Sequence, residues 1–573
     1  MNATQWILFI LIIQVIHFLG TWKLYIKAGR KGWEAAIPIY NAIVLMKIIN
    51  RPTWWTILLF IPIINLLMFP VIWVETIRSY GRNSLVETWL VLLTFGFYIY
   101  YVNYALDVTY IEDRSLEPTT STGEWVSSLV FAIVAATLVH TYFIQPYVIP
   151  TGSLERTLRV GDFLFVSKFH YGARTPMTTV AAPMVHDTLP IINKKSYLNK
   201  PQLPYFRLPG FTKVNRNDIV VFSWPADTVR IFFRKEKGVK KPIDKKSNYV
   251  KRCVGLPGDS LEVKNGVVYI NDKQLVLPKS AKPQFDYTIY SQKGVSSKLL
   301  QSIGVVDFTR KYTSISLSQE QANGISPYVL GYNQTKEGTL ELYTRGTGIP
   351  PKIVQKYQLP LKEVTDRQRT APLTAQMVAQ LKKEVTIDSV VQLVTPRSKG
   401  NTTLFPQSPD YAWNYSNMGA IYIPEKDATV ALNLKTLPFY KKIIRDYEKN
   451  TIKVSGNEIR INDVPADSYT FKQDYYWMMG DNRDHSEDSR AWGYVPEDHI
   501  VGTPIFLWMS FDNFIGANGA PNGPLDWKPR WDRIFTVVNV DGEPQSYFKY
   551  FLIALVAYFI GTWYWGRRKR SKE

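Results

Sequence analysis

Three short segments hold residue types that could do chemistry together. The first is Ile149-Pro-Thr-Gly-Ser-Leu-Glu-Arg-Thr-Leu-Arg-Val-Gly-Asp162. Pro150 and Gly152 favour a turn between two strand-like runs, and that turn would expose Ser153. Ser153 reads either as an ordinary turn residue or as a nucleophile. The second is Tyr249-Val-Lys-Arg-Cys-Val-Gly-Leu-Pro-Gly-Asp259. As a strand it alternates, with Val250, Arg252 and Val254 on one face and Lys251 and Cys253 on the other. Burial among apolar neighbours disfavours an ammonium and lowers its pKa, which makes a lysine able to act as a general base near neutral pH. The alternative is an ordinary surface lysine. The third runs from Tyr475 to Pro496, an apolar strand opening into a loop dense in Asp, Asn, Arg and Ser. So many polar groups require a mutual hydrogen-bond network, structural or catalytic. Calcium binding is the other reading, but Asp481, Asp484 and Asp488 lack EF-hand spacing and its closing Glu.

Other hydrolytic chemistries fit these residues poorly. Thr151 stands where the first glycine of a Gly-x-Ser-x-Gly elbow would be, and Arg156 stands where a Ser-x-x-Lys site would place its lysine. His-Glu-x-x-His and P-loop motifs are absent. His485 and His499 are available for a Ser-His pair, but nothing in their spacing favours one.

The elements around these segments read mainly as β. Asp162-Phe-Leu-Phe-Val-Ser167 and Asp218-Ile-Val-Val-Phe222 are short, β-branched or aromatic runs, the latter core structure without chemistry. Asn265-Gly266 between Leu261-Glu-Val263 and Val267-Val-Tyr-Ile270 predicts a hairpin, and a weaker copy lies at Ile452–Ile461. Leu256-Pro-Gly-Asp259 fits a type II turn. From about Leu275 to Ile452 the pattern is loose and Pro-interrupted, ending in a short amphipathic helix at Tyr440–Glu448 begun by Pro438. That stretch reads as an insertion without chemistry, and the Pro/Thr-rich 172–214 as a second one in a surface loop.

Five apolar segments approach the length needed to cross a bilayer: Trp6–Trp22, Trp54–Val74, Leu85–Ala105, Trp125–Phe143 and Tyr550–Trp565. The first lacks the basic flank and small-residue cleavage site of a removable leader. Lys23, Lys27, Arg30, Lys31, Lys47 and Arg51 place the loop after the first span in the cytoplasm, and Arg567, Arg568, Lys569 and Arg570 place the C-terminus there too. Counting crossings then puts residues 145–546 outside. The single cysteine, Cys253, excludes an intramolecular disulfide and the usual thiolate zinc sites, so no metal or other cofactor is expected. The net charge of +20 is scattered, and no helix-turn-helix is evident, so nucleic acid is not an expected partner. A local run at Lys235, Lys237, Lys240, Lys241, Lys245 and Lys246 reads as a solvated loop or as a contact for anionic headgroups.

The order and wording of the four blocks, the strand 217–222 included, resemble the bacterial type I signal peptidases, a Ser/Lys dyad family. Lys251-Arg-Cys-Val-Gly-Leu-Pro-Gly-Asp259 and Gly480-Asp-Asn-Arg-Asp-His-Ser-Glu-Asp-Ser-Arg490 carry most of the likeness. By position the resemblance implies Ser153 as nucleophile and Lys251 as general base. It implies an oxyanion hole from the Thr151 hydroxyl and the Ser153 amide, with Ser486 orienting the lysine and Asp488 and Arg490 bracing it. Tyr147, Ile149, Leu154 and Val250 would line shallow pockets for small residues. Three departures stand out: Leu154 for the usual Met, Arg156 for the Pro that usually precedes the matched Thr157, and Asn217 for the usual Gly.

The expected fold is therefore mainly β: an antiparallel β-sheet catalytic region with a large insertion, attached to several transmembrane α-helices. The expected limits are a membrane region at 1–111 with about three spans and an anchor helix at 125–145. A β core at 146–275 and 451–546 would be interrupted by an insertion at 276–450, and a last span with a basic tail would occupy 547–573. The expected function is a membrane serine endopeptidase that removes signal peptides from exported preproteins at the outer face of the bacterial cytoplasmic membrane. Its expected partners are those signal peptides and the lipid bilayer, with the secretion translocon as a candidate third; the alternative is an inactive signal-peptidase-like membrane scaffold or substrate-binding subunit. Phe143 ends the fourth segment ten residues before Ser153, so even an extended chain keeps the serine within about 35 Å of the bilayer.

Overall fold

The structure is a computed structural model, and it describes residues 3–118, 120–228, 238–305, 307–336, 338–516, 521–538 and 541–570. Lys235 and Lys237 lie outside the described residues. The chain divides into two compact units, one comprising Met1–Gln145, Lys168–Phe211 and Asp227–Ser247, the other Pro146–Ser167, Thr212–Ala226 and Asn248–Glu573.

In the first unit two helices are long and apolar enough to cross a membrane, Thr4–Lys27 and Ser121–Phe143. The other two segments expected to span there are broken. Residues 54–74 divide into helices Trp55–Leu58 and Ile64–Arg78, with Ile63 between them at φ 71°. Residues 85–105 form Leu85–Leu93 and Tyr98–Tyr104, bent by 117° at a break that holds Phe95 at φ 52° and Gly96 at φ 85°. The hydropathy that marks these segments is real, but much of it is spent on a protein core: Val44, Ile72, Ile77, Val91 and Val102 pack together with Leu24 and Tyr25 of the first helix. Composition alone cannot separate a helix facing lipid from one folded back on its neighbours.

The second unit is built on an antiparallel sheet in the order Ile144–Val148, Asp162–Ser167, Ile500–Asp512, Ile219–Ser223, Asn248–Gly255, Tyr475–Met479, Val495–Pro496. Sequence neighbours are thus separated in space, and the three chemistry-bearing segments enter the sheet from different parts of the chain. Asn248–Gly255 lies between Ile219–Ser223, where Val220 pairs with Lys251, and Tyr475–Met479, where Met479 pairs with Arg252. Lys251, Arg252, Cys253 and Val254 are all buried, so the strand is covered on both faces.

Both hairpins form. Ser260–Lys264 pairs with Val267–Ile270 around Asn265 and Gly266, both at positive φ, and Ile452–Ser455 pairs with Glu458–Ile461. Each continues through an Asn-Asp pair at positive φ, Asn271-Asp272 and Asn462-Asp463, into a third short strand. Asn and Asp tolerate this region better than other non-glycine residues.

The insertion is more ordered than its sequence suggests. One small sheet, Gln284–Tyr290 flanked by Gln368–Thr374 and Ser389–Gln392, packs with helices Ser297–Ser302 and Ala375–Leu381 around Ile289, Leu300, Leu373 and Leu381. A four-stranded sheet of Thr309–Ser314, Val329–Gln334, Leu340–Arg345 and Lys362–Val364 surrounds a second core at Tyr312, Ile325 and Leu342. The insertion ends earlier than position 450, because Met418–Tyr422 pairs with Ser260–Lys264, and Leu437, Tyr440 and Ile443 share the core of Trp477 and Tyr475. The helix expected at 440–448 appears as Leu437–Lys442 continuing through a wider turn, Ile443–Tyr447. A third helix of spanning length and composition, Phe548–Trp565, ends this unit, and its Phe548 ring stacks on Trp531 at 5.4 Å.

Candidate active site

Ser153 sits in a single helical turn, Gly152–Leu154, just after the end of the strand Ile144–Val148. The loop is fixed from outside. The Asn482 amide donates to the Ser153 carbonyl and its side chain to the Gly152 carbonyl, both at 3.0 Å. These bonds aim the serine side chain away from the loop, toward the strand Asn248–Gly255. There the Lys251 Nζ donates to Ser153 Oγ at 2.6 Å. Ser153 is 8% exposed and Lys251 4%. Among the described residues no carboxylate forms an ion pair with the amine, so burial dominates and pushes its pKa down to about 8, against the opposing pull of Asp488 and then Glu487. A buried, partly deprotonated amine in contact with a serine hydroxyl is equipped to take that hydroxyl's proton.

The polar loop surrounds this pair. Arg252, next to the lysine but turned to the opposite face, grips Asp481 through two hydrogen bonds at 2.8 and 2.7 Å. Asp481 also accepts from Thr157 Oγ1 at 2.6 Å, which ties the far end of the nucleophile loop to the same carboxylate. Burial raises the Asp481 pKa, but Arg252 and Thr157 outweigh it, and the carboxyl is held below its ordinary range. Asp488 is bound in the same way by Arg490 Nε and Nη2, each at 2.8 Å, and accepts from the Gly480 amide at 3.1 Å. Both ion pairs are almost wholly buried, so removing either partner leaves an uncompensated charge.

Ser486, 4% exposed, has its hydroxyl buried with no hydrogen-bond partner among the described residues. An unsatisfied buried hydroxyl requires an explanation, and its position supplies one. A Cβ on Gly480 would stand 2.2 Å from Ser486 Oγ and 2.5 Å from the Ser153 carbonyl oxygen. Ser486 is therefore lodged against the nucleophile loop through a gap only glycine can leave. Thr151 is exposed beside Ser153 in extended conformation.

The expected pocket residues come together. Ile149 and Leu154 share a cluster against which Val250 packs, and Tyr147 and Val250 pack on the adjoining one of Val166, Val221 and Val501. The Tyr147 hydroxyl accepts from Asn248 Nδ2 at 3.1 Å. His485 and His499, in contrast, are bonded to Asp286 and Asp498 at 2.9 and 2.6 Å.

Two departures acquire physical reasons. Arg156 has φ 75°, a conformation closed to proline, and its guanidinium donates to the Gly304 carbonyl. Asn217 has φ 74°, so it keeps the left-handed backbone that glycine would adopt there. Gly480 and Asn482 lie in the polar motif but have no role assigned there, and Gln284 lies outside every motif. Gln284, from the insertion, donates its amide to Asp481 O at 2.8 Å and its side chain to Glu155 O at 3.1 Å. Nothing in its local sequence signals that role.

Residues 122–303 and 419–509 match the family model described as signal peptidase, peptidase S26. Over these stretches the chain is similar to the signal peptidases of that family. Residues 33–113 match a family of unknown function, DUF5684. Signal peptidase I of Haemophilus influenzae is 22% identical over 439 residues, 75% of this chain and 79% of the relative. Its counterpart in Buchnera aphidicola subsp. Acyrthosiphon pisum is 25% identical over 391 residues, 68% and 75% of the two chains. That of Rickettsia massiliae is 29% identical over 156 residues, 27% and 45%. The gap between the two parts of the S26 match holds the four-stranded inserted sheet and the strands Gln368–Thr374 and Ser389–Gln392, and the Ser153 and Lys251 segments both lie inside the match.

Proposed function

We propose that this protein is a membrane-bound serine endopeptidase that removes N-terminal signal peptides from exported preproteins. The observation that carries the reading is the 2.6 Å contact between a buried amine and a buried serine hydroxyl within the stretches similar to the S26 signal peptidases. In the neutral form Lys251 Nζ takes the Ser153 Oγ proton as Oγ attacks the scissile carbonyl. The resulting oxyanion is held by the Ser153 amide and the Thr151 hydroxyl, donors of a kind that contribute about 2.7–4 kcal/mol each. The ammonium then protonates the leaving amine, freeing the mature protein. Lys251, neutral again, activates a water that hydrolyses the acyl-enzyme and releases the leader. Ser486 orients the amine, and Asp488 with Arg490 keeps Ser486 in place.

The leader would bind as an extended strand on the sheet edge near Ser153. Its small side chains at alternate positions would enter the walls formed by Tyr147, Ile149, Leu154 and Val250. The enzymatic region is assigned to the outer face of the bacterial cytoplasmic membrane, supported by the basic residues that flank the first and last apolar helices. A secretion translocon is the proposed source of the substrates.

The test is to incubate the purified full chain in detergent with a preprotein and map the cut by mass spectrometry. Cleavage after a small residue beyond the apolar leader segment is expected, and it should vanish in Ser153→Ala and Lys251→Ala. Cleavage that persists in either variant contradicts the dyad. No cleavage by the unaltered protein, with no labelling of Ser153 by an acylating probe, would favour an inactive scaffold.

A further inference from the structure

The segment Lys168–Phe211, expected as a plain surface loop, is a built hairpin in the unit that contains the membrane helices. Its arms are bridged at Arg174–Arg207, Thr178–Gln202, Ala181–Tyr197 and Thr188–Lys195. Met177, Thr178 and Tyr197 are buried inside it, and Asp244 accepts from the backbone and hydroxyl of Thr178 at 2.9 and 2.8 Å. The basic run beyond it is partly consumed by the same framework. Lys241, whose side chain is 2% exposed, bridges Asp187 and Asp227.

On this scaffold the outward side chains are apolar. Ile191 is 98% exposed, Phe211 82%, and Ile192 and Phe206 58% each. A hydrogen-bonded loop that holds four large apolar groups in water has an unmet partner. Charge narrows what that partner is. From Lys168 to Lys213 the sequence has seven Lys or Arg and one acid, Asp187, which is already paired with Lys241. The base of the hairpin is stapled to the end of the Ser121–Phe143 helix. The Lys168 amide donates to the Phe143 carbonyl at 2.8 Å, and the rings of Phe143, Phe169 and Phe211 follow one another at 6.4 and 5.5 Å.

We propose that the outer face of this hairpin is an interfacial lipid-binding surface. Ile191, Ile192, Phe206 and Phe211 enter the boundary between headgroups and acyl chains, while Lys194 and Lys195 meet anionic headgroups. Apolar groups beside Lys and Arg in an acid-poor segment are the composition that lies in a membrane surface, and continuity with an apolar helix of spanning length puts lipid within reach. The inference rests on Ser121–Phe143 being a span and is independent of the peptidase reading.

The test uses the full chain carrying Ile191→Cys, labelled with a polarity-sensitive dye and placed in nanodiscs containing phosphatidylglycerol and lipids brominated high on the acyl chain. Cys253 is 0% exposed and escapes the label. Val385→Cys, at a position 99% exposed on the insertion, is the reference. Thermal melts confirm that both variants fold. The expected result is a blue shift and severalfold stronger quenching at 191 than at 385, weakened by exchanging phosphatidylglycerol for phosphatidylcholine or by K194E with K195E. Equal quenching at the two positions, or a dye at 191 that reports bulk water in every lipid, overturns the proposal. Quenching that ignores both lipid charge and the lysine changes overturns the role given to Lys194 and Lys195.

Discussion

The pH dependence of turnover follows from the setting of Lys251. A general base must be neutral, and an amine with pKa 10.5 is neutral in roughly one molecule in three thousand at pH 7. At about 8, the value to which burial lowers it, the fraction is about one in ten. The gain is roughly 300-fold, equivalent to about 3 kcal/mol. The assay is kcat/KM of the full chain on a preprotein from pH 5 to 10. The rate should rise tenfold per pH unit at the acid end, bend near pH 8 and level off above it. Asp488 and Glu487 oppose the effect of burial, each favouring the ammonium. Asp488 is bound to Arg490 and cannot be changed cleanly, but Glu487 is exposed. Glu487→Gln should move the bend to lower pH and leave the plateau rate within a fewfold. A profile flat from pH 6 to 9, or a bend that Glu487→Gln moves to higher pH, would refute the reasoning.

Further tests address the supporting framework. Asp481→Ala leaves Arg252 buried without its partner and should cost about 3–5 kcal/mol in a denaturant melt, whereas Arg252→Met with Asp481→Leu should restore much of that stability. Gly480→Ala forces a methyl against Ser486 Oγ and the Ser153 carbonyl; kcat should collapse while the KM for a preprotein changes little. Thr151→Ala should lower kcat by about 10²–10³ if its hydroxyl serves the oxyanion, with no loss in Tm. Asp286 raises the His485 pKa through their hydrogen bond, so their pairing stabilises the fold below the histidine's unfolded pKa and fades as pH climbs through the raised value. Asp286→Asn should therefore lower Tm at pH 5 and have little effect at pH 8.

Much of the site was legible in the sequence because its parts are local. Ser153, Lys251 and the loop 480–490 sit in contiguous runs whose residue types betray a turn, a strand and a polar network. What brings them together is not local. Asn482 fixes the nucleophile loop across more than three hundred positions of chain, and Gln284 reaches the loops from an insertion whose composition signals nothing. Lys251 and Arg252, which strand alternation put on opposite faces, are both buried because the strand lies inside the sheet with both faces covered, a layering that period-two reading cannot detect. The broken helices at 54–74 and 85–105 were missed for the opposite reason. Their apolar length is genuine, and only the backbone at Ile63 and Phe95 reveals the breaks, the second with a bend of 117°. The order inside 284–392 depends on long-range strand pairs such as Leu373 with Phe285, which no short window contains.

The most direct measurement is the protonation of one side chain. Nuclear magnetic resonance of the full chain in detergent, with the lysine side chains isotopically labelled and Lys251 assigned by its loss in Lys251→Arg, should give a titration midpoint near 8 that coincides with the bend in kcat/KM. A Lys251 that titrates near 10.5 while cleavage proceeds at pH 7 undiminished would contradict the account.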